Sequence, residues 1–267
     1  MTVLLSEEAD ALREVHGLCG RLDVDVVVIG AVAYRTWVQD QQRVTEDVDL
    51  VVGLDLSDLG RLTDPMLARG WRQDQRREHR WVSPKGARID LLPAGERARR
   101  DRRLDWPLAE TRMSLVGFDH VFTDAVEREL AAGLKVKVVP LVVLTLLKIV
   151  SYLDQPTNRQ KDLQDLAALM HVYEQDGERR FSDEVLDAGV EYSEAGAYLL
   201  GRDLRKLCAE GDERTIVERF LAAIQDPNMG VLDWLGNEGS NTRRERSAGE
   251  RRAFARGWTS VGAPRRR

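Results

Sequence analysis

Asp47 and Asp49 stand two apart in Thr45-Glu46-Asp47-Val48-Asp49-Leu50-Val51-Val52, and a third carboxylate, Asp90, sits in Ala87-Arg88-Ile89-Asp90-Leu91-Leu92. Alternate side chains of a β-strand share a face, so Asp47 and Asp49 lie roughly 6–7 Å apart on one side, with Val48 and Leu50 on the other. Carboxylates this close repel each other unless positive charge stands between them. A hard divalent cation such as Mg²⁺ answers that need, because it takes oxygen ligands and shares its shell with a substrate phosphate. Asp-x-Asp equally suits the wet face of a half-buried strand, so its meaning depends on its neighbours.

Those neighbours are ordered. Asp23 to Ile29 is an apolar run that reads as a central strand, and Gly30 breaks it just before a short helix over Ala31–Val38. Exposed backbone N–H groups at such a strand-to-helix turn bind phosphate. Thr45 to Val52 is the next strand, and Leu56–Arg69 returns to helical spacing before Gly70. Trp71–Val82, charged and aromatic by turns, reads as an exposed strand. Ser83-Pro84-Lys85-Gly86 is a turn, and the strand after it carries Asp90. A hairpin here would bring Asp90 beside Asp47 and Asp49. The arginine-rich run Glu96–Asp105 reads as a solvated loop or helix, and as charged surface before a phosphate contact.

The first helix spans residues 6–22, with Ser6 as its expected N-cap and Leu12, Val15, Leu18 and Leu22 at helical spacing. Val126–Val139 alternates as a hairpin. From Pro140 the texture becomes helical: Leu141–Leu153 is apolar around one charge, Lys148, and a break at Pro156-Thr157-Asn158 precedes a helix over Arg159–Met170. Segments 182–188, 193–207 and 212–225 follow suit. An ammonium in an apolar helix either meets an anion or snorkels to water.

Strand, glycine turn, helix, Asp-x-Asp strand and a later strand with one aspartate: this order resembles the DNA polymerase β-like nucleotidyltransferases. The turn is Gly30-Ala31, where that family has Gly-Gly or Gly-Ser, so no hydroxyl is supplied there. Lys148, a break, and then Arg159-x-Lys161-Asp162-x-x-Asp165 is similar to the AbiEii-like nucleotidyltransferase toxins of type IV toxin–antitoxin systems. The likeness runs from residue 26 to about 170. It implies an α+β fold, a mixed β-sheet with flanking helices followed by a helical C-terminal domain. It also implies roles. Asp47 and Asp49 would bind metal, with Mn²⁺ able to replace Mg²⁺, and Asp90 would complete a second metal site or take the acceptor's proton. Gly30, Ala31 and Arg35 would meet the phosphates of an NTP, Lys148 would neutralise phosphate charge, and Asp162 would orient the nucleotide or catalytic groups. Asp165 would serve its own helix opposite Lys161.

The 267 residues carry a net charge of −5, divided unevenly. From Asn241 onward nine arginines face two glutamates, +7, which leaves −12 on the rest. Such a tail reads as a flexible arm for nucleic acid or an acidic partner, or simply as a disordered solubilising end. The expected organisation is therefore a nucleotidyltransferase core over 1–139, a helical domain over 140–235 and a disordered basic tail over 236–267. No apolar run is long enough to span a bilayer, no signal peptide opens the chain, and Cys19 and Cys208 form no framework, which together suggest a cytoplasmic protein without a membrane partner.

The function these features imply is transfer of an NMP from an NTP to a hydroxyl, on RNA such as a tRNA 3′ end or on a protein, by a toxin with a cognate antitoxin protein as partner. The alternatives are a small-molecule (antibiotic) nucleotidyltransferase and a catalytically silent nucleotidyltransferase-like binding or regulatory protein. A DNA-binding regulator would want a basic recognition domain, and the body of this chain is acidic.

Overall fold

The computed structural model describes residues 3–38, 47–225 and 241–261. The chain divides into two units, 1–140 and 141–267.

In the first unit, α1 (Ser6–Leu22) buries Leu12, Val15, Leu18 and Cys19. Its cap position is Leu5 rather than Ser6, and the Glu8 carboxylate accepts a hydrogen bond from the Leu5 N–H at 2.8 Å. A glutamate three residues in satisfies an amide that the helix itself leaves unpaired. Then follow β1 (Val26–Val28), α2 (Gly30–Trp37), β2 (Asp47–Val52) and α3 (Gly60–Leu67). The two residues expected to start the second strand, Thr45 and Glu46, lie outside the described residues. β3 (Arg72–Gln73), β4 (Arg80–Val82) and β5 (Arg88–Pro93) come next, and β8 (Val126–Ala131) and β9 (Leu134–Val138) close the unit.

These strands form one mixed sheet in the order β3-β4-β5-β2-β1-β9-β8. β2 runs parallel to β5 and β1 parallel to β9, whereas β1–β2, β3–β4, β4–β5 and β8–β9 are antiparallel. Val48, Leu50, Ile89 and Leu91 are fully buried on one face of the β2–β5 pair. The period of two thus sends Asp47, Asp49 and Asp90 to the opposite face.

Two expectations change here. Trp71–Val82 is not one exposed strand: it is two short strands around a turn, and Trp71, Trp81 and Arg80 are buried. The indoles carry enough apolar area to go inside, and the guanidinium finds carboxylate partners there. The run Glu96–Asp105 splits into α4 (Glu96–Arg100) and β6 (Arg103–Trp106), which pairs with β7 (Thr111–Ser114) ahead of α5 (Phe118–Thr123). Leu104 and Trp106 go inside while Arg103 and Asp105 stay out, a strand alternation hidden within a charged stretch.

The second unit is helical: α6 (Leu141–Asp154), α7 (Gln160–Val172), α8 (Asp183–Leu186), α9 (Tyr192–Leu207), α10 (Gly211–Gln225) and α11 (Asn241–Ser260). The tail expected to be disordered holds α11, which packs along α9 and buries Ala253, Phe254 and Trp258. Glycines allow the approach. A Cβ at Gly257 would lie 2.0 Å from the Tyr198 carbonyl oxygen, and one at Gly201 would lie 2.1 Å from that of Phe254. Three apolar side chains and a close backbone contact outweigh the repulsion among the arginines. Arg265, Arg266 and Arg267 lie outside the described residues. No helix among the described residues is long and apolar enough to cross a membrane.

Candidate active site

Register brings the acidic residues together. Asp49 on β2 stands directly opposite Asp90 on β5, and Asp90 in turn stands opposite Arg80 on β4. Neighbouring strands are about 4.8 Å apart, so Asp49, Asp90 and Arg80 form a row across the sheet. Asp47 lies one pleat further along β2, opposite Arg88. Asp90 is 6% exposed, and the Asp47 side chain 25%.

Arg80 was not among the residues singled out from sequence, yet it is the most tightly engaged side chain of the site. Its Nε donates to Asp90 Oδ1 at 2.7 Å and its Nη2 to Asp90 Oδ2 at 2.7 Å, and Nη2 also donates to Asp47 Oδ2. The hydrogen bonds to Asp90 raise the guanidinium's pKa beyond its already high value, against the effect of burial. His79 Nε2 lies 3.6 Å from Asp90 Oδ2, and its ring is tilted on Trp106 at 5.6 Å. Burial pushes the His79 imidazole below its usual pKa, with the Asp90 charge opposing.

Gly30 opens α2 with φ +66°, and a Cβ on it would fall 1.9 Å from Asp49 Oδ2. Glycine is thus required twice, once by the backbone and once by the carboxylate lying against its Cα. Ala31 follows in the first turn. Arg35, in the last turn of α2, has Nε and Nη2 buried without a hydrogen-bond partner among the described residues.

Asp47, Asp49 and Asp90 do not close into a ready metal cage. Among the described residues no group of three or more His, Cys, Asp or Glu stands so as to hold an ion, and Arg80 bonds two of the three carboxylates. The donor chemistry nonetheless fits a hard cation, since all three offer oxygen alone and the place already draws a positive charge from the protein.

The second constellation belongs to the helical unit. Lys148 does not snorkel: Nζ lies 2.6 Å from Asp162 Oδ1 and 2.7 Å from Asp165 Oδ2, with the lysine side chain 18% exposed. Asp162 Oδ2 makes no hydrogen bond among the described residues but sits 3.6 Å from Arg159 Nε. Asp165 therefore serves Lys148 across the helix pair, where sequence reasoning placed it opposite Lys161.

A mixed sheet that sets an Asp-x-Asp strand beside a third aspartate, with a glycine turn against it, is a nucleotidyltransferase-like arrangement. The chain belongs to the family described as nucleotidyl transferase AbiEii toxin, type IV TA system, whose model matches residues 18–230. No curated protein matches it. Among solved structures it is similar to an antigenic nucleotidyltransferase-like protein from Paracoccidioides brasiliensis, at 19% identity and a TM-score of 0.43, over 62% of this chain and 77% of that one. The antibiotic-resistance factor ANT(2'')-Ia matches at 11% identity and a TM-score of 0.41, over 81% and 94% of the two chains. The CCA-adding enzyme of Thermotoga maritima complexed with tRNA matches at 14% identity and a TM-score of 0.33, over 91% and 56%.

Proposed function

We propose that this protein moves an NMP from an NTP to an acceptor hydroxyl, on RNA such as a tRNA 3′ end or on a protein, as a cytoplasmic toxin held in check by an antitoxin protein. The observation that carries the reading is the register of Asp49 beside Asp90, with Asp47 one pleat away and the Asp49 carboxylate against Gly30. Asp47, Asp49 and Asp90 would hold Mg²⁺, or Mn²⁺ in its place. When bound, the cation supplies charge for the attacking and leaving oxygens.

The protein's own groups do the rest. Gly30 and Ala31 present the start of α2 to the triphosphate, where backbone N–H groups favour anions. Arg35 would meet a phosphate, and its buried Nε and Nη2, without a hydrogen-bond partner among the described residues, support this because an unpaired buried donor is costly. The acceptor oxygen bonds to the α-phosphorus as the bond to pyrophosphate breaks. Asp90 either takes the departing proton or helps to hold the cation. Lys148 and Asp162 keep the roles that the resemblance implies, charge on the phosphates and orientation, and their 2.6 Å pairing supports a positioned lysine.

The second reading, a silent nucleotide- or partner-binding domain, is favoured by one contact: Arg80 already satisfies Asp47 and Asp90. One experiment separates the two. The purified chain is incubated with each α-³²P NTP, Mg²⁺ and either total RNA or a protein lysate. Label on one fraction that disappears with Asp49→Ala supports transfer. No label above that control with any NTP and either acceptor class overturns transfer and leaves binding.

A further inference from the structure

Arg80 stands where the proposed chemistry needs a metal ion. The arginine side chain is 10% exposed, and its guanidinium holds both oxygens of Asp90 at 2.7 Å and reaches across the sheet to Asp47. The group cannot give up its proton, and its planar fork matches a carboxylate bidentately. A divalent cation drawn to Asp47 and Asp90 would be drawn to the same minimum of potential. Two like charges sharing those oxygens in a water-poor place repel strongly.

The two attachments differ. Asp90 is nearly buried and held by two donors. Asp47 is a quarter exposed and takes only Nη2 from this guanidinium, so it is the partner that Arg80 releases more readily. We infer that Arg80 is a built-in cation that competes with a divalent metal ion for Asp47 and Asp90, so that loading the site displaces the guanidinium, from Asp47 first. The arginine then balances two of the three clustered carboxylates in the folded sheet until an ion arrives. This deepens the transfer reading and rests on it for the identity of the site, but it predicts metal binding in the absence of any nucleotide.

The test uses the full chain and Mn²⁺ alone, with free Mn²⁺ read by electron paramagnetic resonance. Arg80→Gln keeps a donor and removes the charge, and Mn²⁺ affinity should rise about tenfold or more over wild type. In EDTA the same variant should melt below wild type, because Asp47 and Asp90 lose their counter-charge, and Mn²⁺ should restore its melting temperature more than it raises that of wild type. Should Arg80→Gln fail to fold, Arg80→Lys carries the test: one compact ammonium cannot bridge both carboxylates, so Mn²⁺ should again bind more tightly than to wild type. Equal or weaker Mn²⁺ binding in the folded variant overturns competition and makes Arg80 a support for the ion. An absence of Mn²⁺ binding in every variant overturns it as well. Transfer assayed in parallel keeps the two ideas apart: tighter Mn²⁺ binding with no labelled product anywhere sinks the transfer reading and leaves the competition standing.

Discussion

The ammonium of Lys148 lies 2.6 Å from the Asp162 carboxylate and 2.7 Å from that of Asp165, one turn further along the same helix. This fixes what Lys148→Met must do. Asp162 and Asp165 are nearly buried, so the mutant would take from both carboxylates the ammonium they share. Breaking a buried pair from one side costs on the order of 3 kcal/mol. Urea unfolding should show that loss, and Lys148→Met/Asp165→Asn should recover part of it. A Lys148→Met protein as stable as wild type would mean that the lysine reaches water after all.

Much of the fold was legible because its strands obey simple periods. Asp47-Val48-Asp49-Leu50 and Ile89-Asp90-Leu91 alternate cleanly, so each aspartate's face followed from its neighbours. Gly30 was recognisable as a turn glycine. Its second reason, the Asp49 carboxylate against its Cα, is a tertiary contact that no local pattern records. Arg80 was missed for the same reason. In Asp74-Gln75-Arg76-Arg77-Glu78-His79-Arg80 it looks like one surface charge among several, and only the register with Asp90 sets it apart. The tail was misjudged because its arginines dominate composition, whereas its burial depends on Ala253, Phe254, Trp258 and small residues that let α11 lie against α9.

That helix contact gives a second prediction. Gly257→Ala places a methyl group 2.0 Å from the Tyr198 carbonyl, against backbone that cannot rotate away. The helices must separate, and the helix-propensity gain of alanine, about 1 kcal/mol, cannot offset the lost packing. The melting temperature should fall, and limited proteolysis should begin within residues 241–261. A melting temperature at or above that of wild type would show that α11 does not dock closely on α9.

Acid stability should report on Asp203. Burial alone would raise its pKa, but hydrogen bonds from Arg179, Lys206 and Tyr173 outweigh burial and hold the carboxyl at about 2, below its usual 3.8. A depressed carboxylate stabilises the fold above its unfolded pKa, and that contribution fades as pH falls from about 4 through 2. Asp203→Asn should therefore be less stable than wild type at pH 7, by about 2 kcal/mol, with the gap narrowing as pH approaches 2. Urea midpoints measured from pH 7 to pH 2 check this, and a gap that stays constant with pH would remove the ionic contribution.

Asp49 and Gly30 should prove coupled in stability and in transfer. Gly30→Ala carries two burdens, a positive φ and a Cβ only 1.9 Å from the Asp49 carboxylate. Asp49→Ala removes the second burden, so Gly30→Ala should cost less in that background, by about 1 kcal/mol or more of interaction energy in a double-mutant cycle. The backbone part, about 1 kcal/mol, should persist in both backgrounds. Asp49 is only partly buried, so Asp49→Ala alone should melt close to wild type while abolishing nucleotidyl transfer. Gly30→Ala should lower transfer as well, because the methyl group drives the carboxylate away from its place beside Asp90. Equal costs of Gly30→Ala in both backgrounds would refute the contact. Undiminished transfer by a well-folded Asp49→Ala protein would remove Asp49 from the reaction, whatever the cycle shows.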